Sequence, residues 1–516
     1  MTHMFNASPY LFRILLILTM LCASVQATPL QALYATLDPT SVAQHFAFYE
    51  LYPKTPEGKQ ALRHAWDLLS RGCYDCDPEL VLPSLDVQPI IALVNRSNAE
   101  SIPTLTDEQL AVIDRLAGHL SNRKLLGYGL WSEAQILALQ PEEIDLARGL
   151  LVAELGESAD VRRSIQSYEA MMDLMALQIY ARLPANATPE QKIFYINDYV
   201  FSEMRFRFPP HSLYAKEIDV YTFLPSVLDG RKGVCLGVSI LYLSLAQRLD
   251  LHLEAITPPG HIYVRHVGES GKVINIETTA RGVDLPSKVY LSVESKALKQ
   301  RTLREVIGLA FVNQASVSWQ NDDFAKAVTL YEKAGPYLPD DYLLQLFLGY
   351  NYLFLGEEAK GRSLLMPLRD RVPEENLTPD SIVADYLDGK ADVQAIRAVF
   401  QSVDARRQSI LDKQRQLQEV VTKWPQFRQG IMHLAVTWLQ LGREKEALGV
   451  LTRVHELEPQ DPLVCYYLAA LHYQRHNYTQ AWHYLGLAEE VLKAHHHAPE
   501  AVRQLRTMLT QACPEG

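Results

Sequence analysis

Hydrophobic and polar positions divide the chain into three regimes. From 28 to about 140, short apolar stretches at helical spacing alternate with loops. Thr106-Asp-Glu-Gln109 has the form of a capping box, in which Thr106 accepts from the third amide and Gln109 reaches back. Behind it, Leu110, Ile113, Leu116 and Leu120 recur every three or four residues, which predicts a buried helical stripe. From Pro141, Glu142-Glu-Ile-Asp-Leu-Ala147 is predicted to begin a further helix, followed by a longer one over about 161–183. Arg205 to Tyr221, rich in Phe, Pro and Tyr, is expected to pack as an irregular segment.

From about 308 the pattern repeats. Pro339 and Pro373 are 34 residues apart, as are Ala315 and Gly349, Ala435 and Ala469, and Ala447 and Ala481. That is the period of tetratricopeptide repeats, whose small residues sit where two antiparallel helices approach closely. Four repeats are predicted, near 308–341, 342–375, 428–461 and 462–495. The second carries Gly361 where Ala is usual, and 376–427 is expected to hold a degenerate repeat plus a long helix. Such a solenoid offers a groove for a protein or peptide partner without naming one.

A length of 516 residues suggests about three domains. With 48% hydrophobic and 21% charged residues the composition is that of a globular chain, and 25 glycines lean it toward helix. The net charge of −11 gives no electrostatic reason to seek nucleic acid or anionic membranes. Only the N-terminus carries a long apolar run. Ile14–Ala23 is too short to span comfortably and leads into Ser24-Val-Gln-Ala27, with small residues at −3 and −1 of a cleavage after Ala27. This predicts a secretory signal, and hence a periplasmic or secreted mature chain from Thr28 with no membrane span. Only the terminal amine and Arg13 are positive before the run, so an uncleaved N-terminal anchor is the alternative. The expected domains are a signal peptide (1–27), a helical N-terminal region (28–140), an α+β core (141–300) and the repeats (301–516).

Removal of Cys22 leaves Cys73, Cys76, Cys235, Cys465 and Cys513, too few in so long a chain for a disulfide framework. Cys73-Tyr-Asp-Cys76 lacks the second pair of a four-ligand zinc site, so a local disulfide is expected rather than a metal. His495-His-His497 reads as a solvated helix end.

The segment with chemistry is Gly230-Arg-Lys-Gly-Val-Cys235-Leu-Gly-Val-Ser239 and its continuation to Leu249. Gly233 breaks the chain, and Val238, Leu241, Leu245 and Leu249 then form an apolar stripe, which places Cys235 in the first turn of a buried helix. Free amides and the positive dipole end favour a thiolate there and can stabilise an oxyanion beside it. An inert buried cysteine is the plain alternative. Downstream, Gly260-His261-Ile-Tyr-Val-Arg-His-Val267 and Lys272-Val-Ile-Asn-Ile-Glu277 flank a glycine-bearing turn and read as a β-hairpin. A three-residue loop (268–270) or a five-residue loop (267–271) sets His261 directly opposite Glu277. A two- or four-residue loop turns them to opposite faces, because a one-residue step flips every side chain. On a shared face, His261 can take the proton of Cys235 while Glu277 orients the imidazole, the logic of thiol acyl transfer. His266 has the opposite parity and is the weaker base. Asn275 is the replacement orienter, and Arg205, Arg207 and Arg265 are candidates for favouring acidic substrates.

Gly-Val-Cys on a helix, then a Gly-His-aliphatic strand, then a carboxylate followed by Thr resembles the transglutaminase-like superfamily, whose core is similar to papain-like thiol proteases. Leu146-Ala-Arg-Gly-Leu-Leu-Val-Ala-Glu154, Ile196-Asn-Asp-Tyr-Val-Phe201, Phe223-Leu-Pro-Ser-Val-Leu228 and Pro259-Gly-His261 resemble the bacterial branch in which this core precedes tetratricopeptide repeats. The resemblance covers roughly 142–290. It implies a Cys-bearing helix packed on an antiparallel sheet, with Cys235 as nucleophile, His261 as base and Glu277 as acid. The acid in such cores is commonly Asp before Pro, whereas here it is Glu277 before Thr278. The implied function is a thiol-dependent amide hydrolase or acyltransferase acting on a protein or peptide, requiring neither cofactor nor calcium. Many members of that branch lack the cysteine, so the alternative is an inactive scaffold that binds partners through its repeats.

Overall fold

Helix caps and buried ion pairs set the framework of this chain, whose computed structural model describes residues 28–514 apart from 74–75, 83–84, 97–104, 210–219 and 405. The signal segment 1–27 and most of the irregular segment 205–221 lie outside the described residues. The chain divides into two units, Met1–Arg96 and Ser97–Gly516. In the first, helices Val42–Leu51 and Pro56–Leu69 begin at Ser41 and Thr55, whose side chains accept amide bonds from the first turn. Phe46, Trp66 and Ile90 are buried there. Cys73 and Cys76 are joined by a disulfide, and the Trp66 indole donates to the Cys76 carbonyl at 3.0 Å.

In the second unit the capping box of Thr106 and Gln109 forms and opens helix Asp107–Leu116. Ile113, Leu116 and Leu120 are buried. The helix expected from Glu142 starts later, at Leu146, because Asp145 accepts from the Arg148 amide and caps it. The long helix Ala159–Arg182 carries two buried carboxylates. Glu169 takes both sides of the Arg148 guanidinium at 2.6 and 2.7 Å. Asp173 pairs with Arg123 at 2.6 Å and with Arg248 at 2.8 Å. Arg248 ends helix Cys235–Arg248, so Asp173 anchors the end of that helix far from Cys235. Breaking such a buried pair on one side costs about 3–5 kcal/mol.

Helix Cys235–Arg248 is buried on nearly all sides, not only along the stripe at 238, 241 and 245. It packs on a four-stranded antiparallel sheet made of β1 (Glu254–Thr257), β2 (Tyr263–Val267), β3 (Val273–Ile276) and β4 (Lys299–Arg301), in the order β3-β2-β1-β4. β4 is the last strand before the repeats, and its Arg301 bonds to Asp341 at 2.6 Å in the loop after the first repeat hairpin.

Four helix pairs follow. They are Leu303–Gln320 with Phe324–Ala334, Tyr342–Phe354 with Glu358–Leu365, Arg428–Gln440 with Glu444–Leu457, and Pro462–Gln474 with Tyr478–Ala494. The small residues at the 34-residue period are buried where the paired helices meet. Gly361 is no defect in this pattern. A Cβ there would lie 2.9 Å from the Gly349 carbonyl oxygen, so these two helices approach more closely than Ala permits. Between the second and third pairs stand two short helices, Ser381–Leu387 and Val393–Phe400, and the long helix Arg407–Lys423. The expectation of a solvated histidine end holds for His495 and His496 but not for His497, which is buried and donates to the Ser292 carbonyl at 2.7 Å. No helix among the described residues is long and apolar enough to cross a membrane.

Candidate active site

Cys235 is the first residue of its helix, preceded by Val234, which offers no side-chain cap. The first-turn amides have no carbonyl within the helix to bond. Two glycines make this turn possible. A Cβ at Gly233 would lie 2.5 Å from Val238 Cγ2, and one at Gly237 would lie 2.3 Å from the Tyr221 carbonyl oxygen. The backbone at 221–222 therefore runs directly against the helix, and the Val234 amide donates to Tyr221 O at 3.2 Å. Cys235 is partly exposed, within reach of a substrate.

The hairpin closes with a register different from the one expected. Val267 faces Val273 and Val264 faces Ile276, so the loop is the five residues 268–272 and the pairing is shifted by two positions. Glu277 therefore lies across from Tyr263, and His261 sits diagonally from it, just before β2 begins. A shift of two preserves parity, and the two side chains share a face. His261 Nε2 and Glu277 Oε2 are 2.7 Å apart. Nδ1 is the ring nitrogen left for the sulfur, and Cys235 is the other side chain close enough to raise the imidazole.

Burial opposes charge on the imidazole, but its interactions with Cys235 and Glu277 outweigh it and push His261 up to about 9. Burial likewise opposes charge on Glu277, yet hydrogen bonds from His261, Thr279 and Tyr290 hold it down to about 2. The Thr279 amide and hydroxyl donate to Oε1 at 3.1 and 2.5 Å, and the Tyr290 hydroxyl donates to Oε2 at 2.7 Å. Burial and the bond to Glu277 raise the Tyr290 phenol well above its ordinary range, so it stays a donor. Thr278 ties this turn to the nucleophile helix. Its hydroxyl donates to the Cys235 carbonyl at 3.4 Å and meets Ser239 Oγ at 3.1 Å.

The structure thus brings Cys235, His261 and Glu277 together, and it separates the secondary candidates from them. His266 Nδ1 donates to the His252 carbonyl at 3.3 Å. Asn275 is a loop anchor and not an orienter, because its amide donates to Leu285 O at 2.6 Å and Ser287 Oγ at 3.0 Å. Arg265 pairs with Glu254 at 2.7 Å, which removes it as a free cation for substrate. The backbone of Arg207 bridges to Lys232 beside the nucleophile turn, while Arg205 is exposed with a positive φ. Tyr290 and Thr279 were missed by sequence reasoning. Thr279 lies two residues after a recognised acid, but Tyr290 lies 13 residues beyond Glu277 in an irregular loop with no periodic signal. Among the described residues no group of three or more His, Cys, Asp or Glu side chains is arranged to hold a metal ion.

No curated protein matches the chain. Among solved structures, MamA of strain AMB-1 is similar over 36% of this chain and 92% of its own, at 19% identity and a TM-score of 0.19. A thermophilic TPR protein of Thermus thermophilus is similar over 40% of this chain and 98% of its own, at 18% identity and a TM-score of 0.20. The family model of the transglutaminase-like superfamily matches residues 166–307, from the long central helix through the Cys235 helix and the whole sheet. This segment of the chain is a transglutaminase-like core.

Proposed function

We propose that this chain is a thiol-dependent amide hydrolase or acyltransferase acting on a protein or peptide outside the cytoplasm. The observation that carries the reading is the continuous chain of contacts from Cys235 through His261 to Glu277. Cys235 attacks the carbonyl as a thiolate, with the first-turn amides receiving the developing oxyanion. His261, charged by the proton it takes, returns that proton to the leaving amine, and Glu277 stabilises the imidazolium throughout. Water or a second amine then releases the acyl group. The signal-like segment 1–27 and the disulfide between Cys73 and Cys76 support an oxidising compartment. The repeat helices are suited to holding the protein or peptide partner.

An electrophilic thiol probe tests the reading. It labels the wild-type chain, and labelling is lost in Cys235→Ala. Equal labelling of both proteins removes Cys235 as the reactive group and leaves the repeats as the working part of the molecule.

A further inference from the structure

Among the described residues, Glu277 accepts from three side chains, and Tyr290 is the one that comes from beyond the hairpin and its 278–280 turn. The Tyr290 ring stacks on Tyr263 at 4.4 Å and lies nearly parallel to His261 at 5.9 Å. Immediately after it, before the chain returns to the sheet at β4, the segment packs against the repeat region. Val293 is 4% exposed and belongs to one buried apolar cluster with Leu377, Ala469, Leu485, Leu492 and Val502. The backbone on both sides of Val293 is clamped. The His497 ring donates to Ser292 O at 2.7 Å, the Leu377 amide to Glu294 O at 3.0 Å, and the Lys296 amide to Glu375 O at 2.8 Å. Ser295 and Asn376 form an isolated antiparallel bridge.

We propose that Tyr290 is a positioning residue for the Glu277–His261 pair, and that Ser292–Ala297 is a strap through which the repeat region holds Tyr290 in place. The proposal rests on the reading of Cys235 and His261 as a working thiol–imidazole pair. Tyr290 and His261 share one carboxylate oxygen, so the phenol fixes the rotation of Glu277 and with it the line to His261. Upstream, Tyr290 ends a short turn held to β3 by Asn275. Downstream, only Leu291 separates it from the clamped Ser292 carbonyl. A displacement of the strap is therefore transmitted to the phenol through a single residue. The last repeat helices are on this account part of the scaffold of the active site.

The test uses the full mature chain with Tyr290→Phe, which keeps the stack and removes the hydroxyl, and Val293→Asp, which undocks the strap from the apolar cluster. His497→Phe, which removes the clamp on Ser292, serves as a second strap variant should Val293→Asp not fold. Two quantities are measured: the pH profile of Cys235 alkylation by iodoacetamide, and hydrogen exchange of peptides covering 277–280 and 287–297. The wild-type profile is expected to inflect near 9, where His261 would lose its proton. If positioning is lost, Glu277 leaves His261 part of the time. The inflection then falls by about half a pH unit or more, roughly a threefold weaker hold on the proton. Tyr290→Phe and the strap variants both show this fall, and the strap variants also speed exchange at 277–280. An unchanged or raised inflection in Tyr290→Phe means the phenol only shares charge, and overturns its positioning role. Faster exchange confined to 291–297 overturns the strap. A wild-type profile with no inflection near 9 overturns the thiol–imidazole reading instead, and the exchange at 277–280 still decides whether the strap holds the acid's turn.

Discussion

Ser239 Oγ and Thr278 Oγ1 lie 3.1 Å apart, fully buried between the nucleophile helix and the turn that carries the acid. Thr278 in turn donates to the carbonyl of Cys235. This pin links the nucleophile to the residue next to Glu277 without using either reactive side chain. Replacing Thr278 by Val keeps the shape and leaves the Ser239 hydroxyl unpaired in the interior, at a cost of about 1–3 kcal/mol. Thr278→Val is expected to lower the thermal midpoint and the rate of thiol-probe labelling together. Thr278→Ser, which restores the hydroxyl, is expected to recover most of the labelling rate.

The pH dependence follows from two shifts of opposite sign. His261 rises from 6.5 to about 9, so its contribution to stability is complete below 6.5 and is lost as pH climbs through 9. Glu277 falls from 4.5 to about 2, so its contribution is complete above 4.5 and is lost as pH drops through 2. The pair supports the fold fully between 4.5 and 6.5 and weakens on both sides. Activity that needs the imidazolium is expected to decline on the alkaline side with a midpoint near 9. A rate profile with its alkaline midpoint at 6.5 would mean that His261 gains nothing from its partners in solution.

Gly237→Ala separates helix propensity from packing. Alanine is favoured over glycine within a helix by about 1 kcal/mol, so propensity alone forecasts a more stable protein. The added Cβ, however, would sit 2.3 Å from a backbone oxygen at Tyr221 and 2.8 Å from Val227 Cγ2. Neither the oxygen nor the buried valine can move without shifting the segment packed on Cys235. The overpacking penalty of about 1–3 kcal/mol wins. Denaturant unfolding is expected to show a lower midpoint for Gly237→Ala, and a higher one would show that the 221–222 backbone yields freely.

The sequence carried the site further than it carried its surroundings. Cys235 was placed in a first turn by a glycine followed by apolar spacing, and that is where it lies. His261 and Glu277 depend only on strand parity, which survives a two-residue change of register, so they meet although the loop is not the one expected. Local patterns also marked the repeat pairs, because 34-residue periodicity reflects the helix–helix contact itself. Tyr290 and the burial of His497 depend on where an aperiodic loop lands among distant helices, which no local pattern encodes. Asp145 shows the smaller kind of miss. Its capping role was hidden among the neighbouring acids Glu142 and Glu143, and only the backbone geometry distinguishes them.

Glu277→Gln isolates the charge of the acid from its shape. Glutamine retains an amide oxygen that can accept from His261 and keeps nearly the same length. The orientation of the ring is therefore largely preserved, but the counter-charge is gone. His261 is expected to lose the charge attraction of Glu277, one of the interactions that raise it, and its alkaline midpoint moves down from about 9. Turnover falls because the imidazolium formed during attack is no longer stabilised. The loss is smaller than in Cys235→Ala, since a nucleophile is indispensable and an orienter is not. A carboxylate lost beside a catalytic imidazole has cost as much as ~10⁴ in other triads, which bounds the effect from above. Comparing probe-labelling rates of wild type, Glu277→Gln and Cys235→Ala across pH checks both the ranking and the shift. Wild-type rates in a folded Glu277→Gln protein would show that the carboxylate bonded to His261 plays no part in activating the thiol.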